Sequence, residues 1–165
     1  MIGGIRHDNR ARAELIDGTR GQLVAMLPET WRFRLDRWDQ GIIQAWFDAP
    51  TDGRRWKPIR TTRYWEAQGY SDEQGHGYDG IAWYRTEVSV SDEFAGRTIK
   101  LNFGGIRNRM WIWVNGKFAG RKNDTEISKL IAPGKVNTVA VRVENPFGPG
   151  GIYRRVLAWS PTGNE

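Results

Sequence analysis

Met110-Trp111-Ile112-Trp113-Val114-Asn115-Gly116-Lys117-Phe118-Ala119 is the stretch that decides the fold. Five apolar residues in a row, rich in β-branched and aromatic side chains, predict a strand covered on both faces. Asn115-Gly116 supplies the two positive φ angles of a tight hairpin turn, so Lys117 to Ala119 returns as the partner strand. The patterns on either side agree. In Trp31-Arg32-Phe33-Arg34-Leu35 the apolar groups alternate with arginine. Ala82, Tyr84, Thr86, Val88 and Val90 fall on one face, opposite Arg85, Glu87 and Ser89. Thr98 to Phe103 alternates likewise and stops at Gly104-Gly105, where side-chain-free backbone is useful at a strand end. Val139, Val141 and Val143 form another inward row, entered through Pro133-Gly134 and a turn closed by Asn137. A last run covers Ile152 to Trp159.

Helix signals are few: two turns over Asn9 to Ile16 and one over Asp124 to Leu130. Short strands with frequent turn residues predict an all-β sandwich or barrel and no βαβ units. Residues 1–22 are polar and Arg-rich, and read as an extension or linker, irregular or helical, ahead of a domain over 23–165. At 165 residues the chain suits one domain with a sizeable core. It has no cysteine, which excludes disulfides and thiolate metal sites. No apolar run approaches the roughly 18 residues of a membrane span. The opening stretch lacks an apolar segment followed by a small-residue cleavage site, so no secretion signal is expected. That leaves a cytoplasmic protein or a piece cut from a secreted or periplasmic one.

Several motif blocks resemble glycoside hydrolase family two, in the family's order. They are Trp31 to Asp36 with Trp46, Trp56 and Tyr64-Trp65-Glu66; Tyr78 to Arg85; Leu101 to Gly105; Trp113 to Gly120; Asn137 to Val143; and Gly150 to Arg154. They cover about Leu27 to Trp159. The resemblance is to the N-terminal sugar-binding domain of β-galactosidase- and β-glucuronidase-like enzymes. It implies a β-sandwich jelly roll of the galactose-binding type, packed against other domains and lending loop residues to a sugar site. Catalysis in that family belongs to a separate barrel with two glutamates, and such a barrel needs about 250 residues. The chain is therefore expected to be non-catalytic for that chemistry.

Retaining glycosidases hold two carboxyl groups about 5 to 5.5 Å apart. Glu66, Asp79, Asp124 and Glu126 are available, but sequence supplies no geometry that joins any two. His7 and His76 stand alone, without metal-ligand spacing, and no acidic cluster marks a calcium site; no cofactor is expected. A sugar site needs a flat aromatic and planar hydrogen-bonding groups. Two loops hold that mixture: Tyr70 to Gly80, with His76, Tyr78 and Asp79, and the stretch after the hairpin, with Arg121, Asn123 and Asp124. The resemblance places a sugar-contacting acid at Asp124, although the following segment is short for the family; the alternative is a helix N-cap. Trp111 and Trp113 point away from the Met110-Ile112-Val114 row and would form an aromatic platform if left uncovered.

Nine Trp and a net charge of +6 carried mostly by Arg keep other partners in play. Arg32, Arg34, Arg37, Arg54, Arg55, Lys57, Arg60 and Arg63 lie among tryptophans, and an acidic glycan would use these arginines through bidentate contacts. Nucleic acid is the weaker reading, because no RRM or OB signature accompanies the charge. A purely structural domain bracing a catalytic barrel is the remaining alternative.

Overall fold

The computed structural model describes residues 12, 14–16, 18–51, 53–71, 74–104, 106 and 108–162. Among these residues ten strands make two antiparallel sheets: β1 (Gly21–Met26), β2 (Thr30–Leu35), β3 (Lys57–Arg60), β4 (Gly80–Ser89), β5 (Lys100–Asn102), β6 (Arg109–Val114), β7 (Lys117–Gly120), β8 (Asp124–Glu126), β9 (Val136–Asn145) and β10 (Leu157–Pro161). The smaller sheet has the order β1-β10-β5-β8 and the larger β3-β2-β4-β9-β6-β7. The fold is a β-sandwich, as the strand periodicity predicts.

The inward rows are those that alternation picks out. Trp31 and Phe33 on β2, Ala82, Tyr84 and Val88 on β4, Met110, Ile112 and Val114 on β6, and Val139, Val141 and Val143 on β9 face Leu101, Ala158 and their neighbours. Asn115 and Gly116 adopt φ of 51° and 77°, the hairpin turn that their identities demand. Asn137 is fully buried. Its amide donates to the carbonyls of Ala132 and Lys135 at 3.1 and 2.9 Å, and its oxygen accepts from Ala132 N–H and the Asn115 amide.

Three expectations change. Asp124–Glu126 is a strand, not the start of a helix, because Asp124 pairs with Asn102 in the β5–β8 ladder. The run expected from Ile152 is a loop as far as Val156, and only Leu157 onward is strand. Strands β1 and β3 carry little alternation; β3 includes Pro58, tolerated because β3 is an edge strand. Of the expected Asn9–Ile16 helix, residues 12 and 14–16 are described and helical. His7, Gly105 and most of the N-terminal extension lie outside the described residues.

A second aromatic layer covers the outer face of the six-stranded sheet. Trp83, Trp113 and Ala140 project there and are roofed by Trp46, Trp56 and Phe47 from the segment between β2 and β3. Phe47 stacks on Trp113 at 5.1 Å and 6°, and Trp83 lies 5.1 Å from Trp113. Asp36 pins the segment: its carboxylate accepts from Gln40 N–H (2.7 Å), Gly41 N–H (2.9 Å) and Trp83 Nε1 (2.9 Å). Arg85, on the face opposite the inward row of β4, is buried beneath it and donates to the Trp46 and Ala49 carbonyls. The outer face of the smaller sheet is packed by Leu15 on Leu157 and Trp159.

Candidate functional site

Both predicted loops open at the end of the sandwich where β4 begins. In the larger sheet β9 and β6 lie between β4 and β7, so the loops flank a rim and do not form one pocket. His76 and Asp79 are exposed on it. Tyr78, between them, is not: it is 4% exposed and its hydroxyl donates to the Ile81 carbonyl at 2.8 Å. Its ring centroid lies 5.7 Å from that of Trp65, and burial raises the hydroxyl pKa. Tyr78 thus belongs to the core, a correction to its reading as a sugar platform.

Arg121 is exposed, with its guanidinium 4.4 Å from the Trp111 ring centroid; the Arg142 guanidinium is 4.2 Å from the same centroid. Arg142 also pairs with Asp39 at 2.9 Å. Two cations on Trp111 and Phe47 on Trp113 mean that these rings form no open platform. The Asn123 carbonyl accepts from Phe103 N–H. Asp124 accepts from Trp159 Nε1 at 2.8 Å and from the Asn102 amide at 3.4 Å, on the outer face of the smaller sheet. Its carboxylate thus has a structural role there.

The rim also contains residues outside the two predicted loops. Glu66 accepts from Gly150 N–H at 2.9 Å, and a β-carbon placed on Gly77 would lie 2.5 Å from Glu66 Cγ. Glu66 therefore holds the His76 loop against the loop after β9. Beside that second loop Asn108, just ahead of β6, donates to Asn145 at the end of β9 (3.0 Å) and accepts from Gly151 N–H (2.8 Å), while Asn145 donates to the Gly148 carbonyl (2.7 Å). These amides, Arg109 and Phe147 line a cavity of about 310 Å³. Phe147 is 78% exposed. The Tyr64 and Tyr153 rings pack with centroids 4.8 Å apart, tilted by 33°. An aromatic face beside planar amides and a guanidinium is suited to a pyranose, whose C–H face is apolar and whose hydroxyls lie around its edge. The dense turn signal of Asn145-Pro146-Phe147-Gly148-Pro149 could have marked this loop, since a Phe there has no strand to bury it. Among the described residues no group of three or more His, Asp or Glu is placed to hold a metal ion.

Two antiparallel sheets packed face to face, with the polar chemistry on their end loops, define a β-sandwich domain. The chain belongs to the family described as the β-galactosidase second all-β domain, whose model matches residues 45–146. A Formosa agariphila protein named as a β-glucuronidase is 32% identical over 176 residues, covering 86% of this chain and 17% of that protein. The β-galactosidase of Priestia megaterium is 21% identical over 79% of this chain and 16% of its own length. The chain thus spans about a sixth of these relatives. The solved β-glucuronidase of Ruminococcus gnavus superposes with a TM-score of 0.73 at 21% identity, over 84% of this chain and 29% of that one. That likeness is one of fold.

Proposed function

We propose that the chain is a non-catalytic, sugar-binding or sugar-site-completing module of a β-galactosidase-like hydrolase, with the rim at the start of β4 as its contact surface. The observation that carries this reading is the exposed Phe147 beside the Asn108–Asn145 amide pair and Arg109. Exposed His76 stands on the same rim beside Gly77, which packs against Glu66, and Asp79 follows Tyr78. The non-catalytic part follows from size and pairing. A 165-residue chain cannot contain the family's barrel. Two of its candidate acids, Glu66 and Asp124, are committed to backbone and indole donors.

The test is calorimetric titration of the chain with neutral galacto-oligosaccharides. Phe147→Ala and His76→Ala are each expected to weaken binding about tenfold, a loss of roughly 1.4 kcal/mol. Both residues are exposed, so melting temperatures should not move. Full affinity in both variants, or no heat with any glycan, overturns the proposal. A second reading, a brace for a catalytic domain, is favoured by one observation. Trp38 and Ile43, on the segment that roofs the outer aromatic layer, are 81% and 89% exposed. Apolar groups presented this way suit a partner domain.

A further inference from the structure

The segment between β2 and β3 leaves a cleft of about 520 Å³ on the outer side of the larger sheet. The guanidinium groups of Arg34, Arg54 and Arg55 line it, over a floor of the buried Trp46 and Trp56 rings. Arg34 is fixed in place, 3.6 Å from the Trp46 ring centroid. Trp46 is itself held by the bond from its Nε1 to Gln44 at 2.9 Å and by edge packing on Trp56 at 6.2 Å. Burial lowers the Arg34 pKa, and the nearby charge of Arg55 lowers it further, against a raising effect from Asp36. Among the described residues no carboxylate lines the cleft. Among the described residues neither Arg54 nor Arg55 has an ion pair or a side-chain hydrogen bond. The neighbouring cleft of about 490 Å³ differs in this respect, because Glu87 stands there beside Arg32 and Arg85.

Three like charges with no described carboxylate in the lining, and with Asp36 already accepting from Gln40, Gly41 and Trp83, favour an anion. Guanidinium forks match the two oxygens of a carboxylate or sulfate. The apolar floor adds a requirement that a free inorganic anion would not meet, and both clefts fall in the volume range of small-ligand sites. We propose that this cleft binds an anionic sugar residue, one carrying a carboxylate or sulfate, at a site separate from the rim. Arg34 supplies the preorganised fork, and Arg54 and Arg55 close on the anion from solvent. The choice of a saccharide over other anions rests on the sugar-binding reading of the chain; the charge selectivity does not.

The experiment titrates the chain, at about 50 mM salt so that screening stays weak, with an oligogalacturonate, a sulfated galacto-oligosaccharide, a neutral galacto-oligosaccharide and single-stranded oligothymidylate. At least one acidic oligosaccharide should bind about tenfold more tightly than the neutral one, and which of the two does so identifies the anion. The exposed-site double variant Arg54→Gln/Arg55→Gln should remove that advantage, whereas Phe147→Ala should leave it intact. Equal affinity for acidic and neutral sugars overturns the proposal, as does acidic-sugar binding that survives the double variant. Absence of acidic-sugar binding, or tighter binding of oligothymidylate, overturns it too. Loss of neutral-sugar binding alone in Phe147→Ala bears on the rim and not on this cleft.

Discussion

Tyr84 shows how much one buried hydroxyl does. Its oxygen accepts from Ile152 N–H at 3.1 Å, and a β-carbon placed on Gly151 would sit 2.2 Å from it, so glycine is required there. Burial pushes its pKa far above the ordinary tyrosine value, the Ile152 bond opposes this, and Glu66 and Tyr70 add to it. A tyrosine whose folded pKa is raised keeps its proton in the folded state while the unfolded chain releases it above about pH 10. Its contribution is therefore complete below that value and declines as pH rises past it. Tyr70 and Tyr78 shift in the same direction, also through burial. Tyr84→Phe should cost about 1–3 kcal/mol near neutrality, because Ile152 N–H loses its buried acceptor. Denaturant melts at pH 8 and above pH 10 should also show a shallower alkaline decline than in the parent; an unchanged slope would contradict this. Tyr84 is legible as an inward residue from alternation alone. Its partner, 68 residues away, is not, and the same holds for Asp36, whose indole donor on Trp83 is 47 residues distant.

Among the elements, the segment from Asp36 to Trp56 is the one that sequence patterning leaves unread. It has no helical or strand period, and Asp39 and Ala45 take positive φ angles of 52° and 54° that break any regular run. Its order comes from contacts at a distance: Asp36 on its first turn, Arg85 beneath it and Trp83 behind Gly41. Gly41 is the tightest point, since an added methyl would lie 2.3 Å from Trp83 Nε1. Gly41→Ala should destabilise the protein by about 1–3 kcal/mol through overpacking, and the near-ultraviolet circular dichroism of the tryptophans should change with it. Retention of both stability and spectrum would mean that the segment does not seal the outer layer. By contrast, β2, β4, β6 and β9 were readable because each sets one face against the core for six to ten residues. The three-residue β8 is too short to display a period, and its Asp-Thr-Glu composition suits a helix start equally well. The rim suffers likewise: loop chemistry nominates His76 and Asp79, which are exposed, while Tyr78 looks identical in sequence whether it faces water or Trp65.

Taken as a whole, the molecule has one aromatic-rich core between the sheets and a second on the outer face, with Trp38 and Ile43 standing out from the roof of the second. Replacing both with serine should leave stability within about 0.5 kcal/mol, as for surface positions in general. It should also lower the fluorescence of a hydrophobic dye added to the native protein. A fall in stability instead would assign the two residues to the fold rather than to a partner-facing surface. The placement of such surfaces was beyond the reach of patterning, which reports a residue's face and not what lies over that face. The larger sheet ends in β3 and β7, each four residues long. Pro58 offers no N–H to an incoming strand, and Lys57, Arg60 and Lys117 bring charge to the two margins. Such margins make poor templates for fibril growth, so the larger sheet can be crowded beside copies of itself without its edges fusing to theirs.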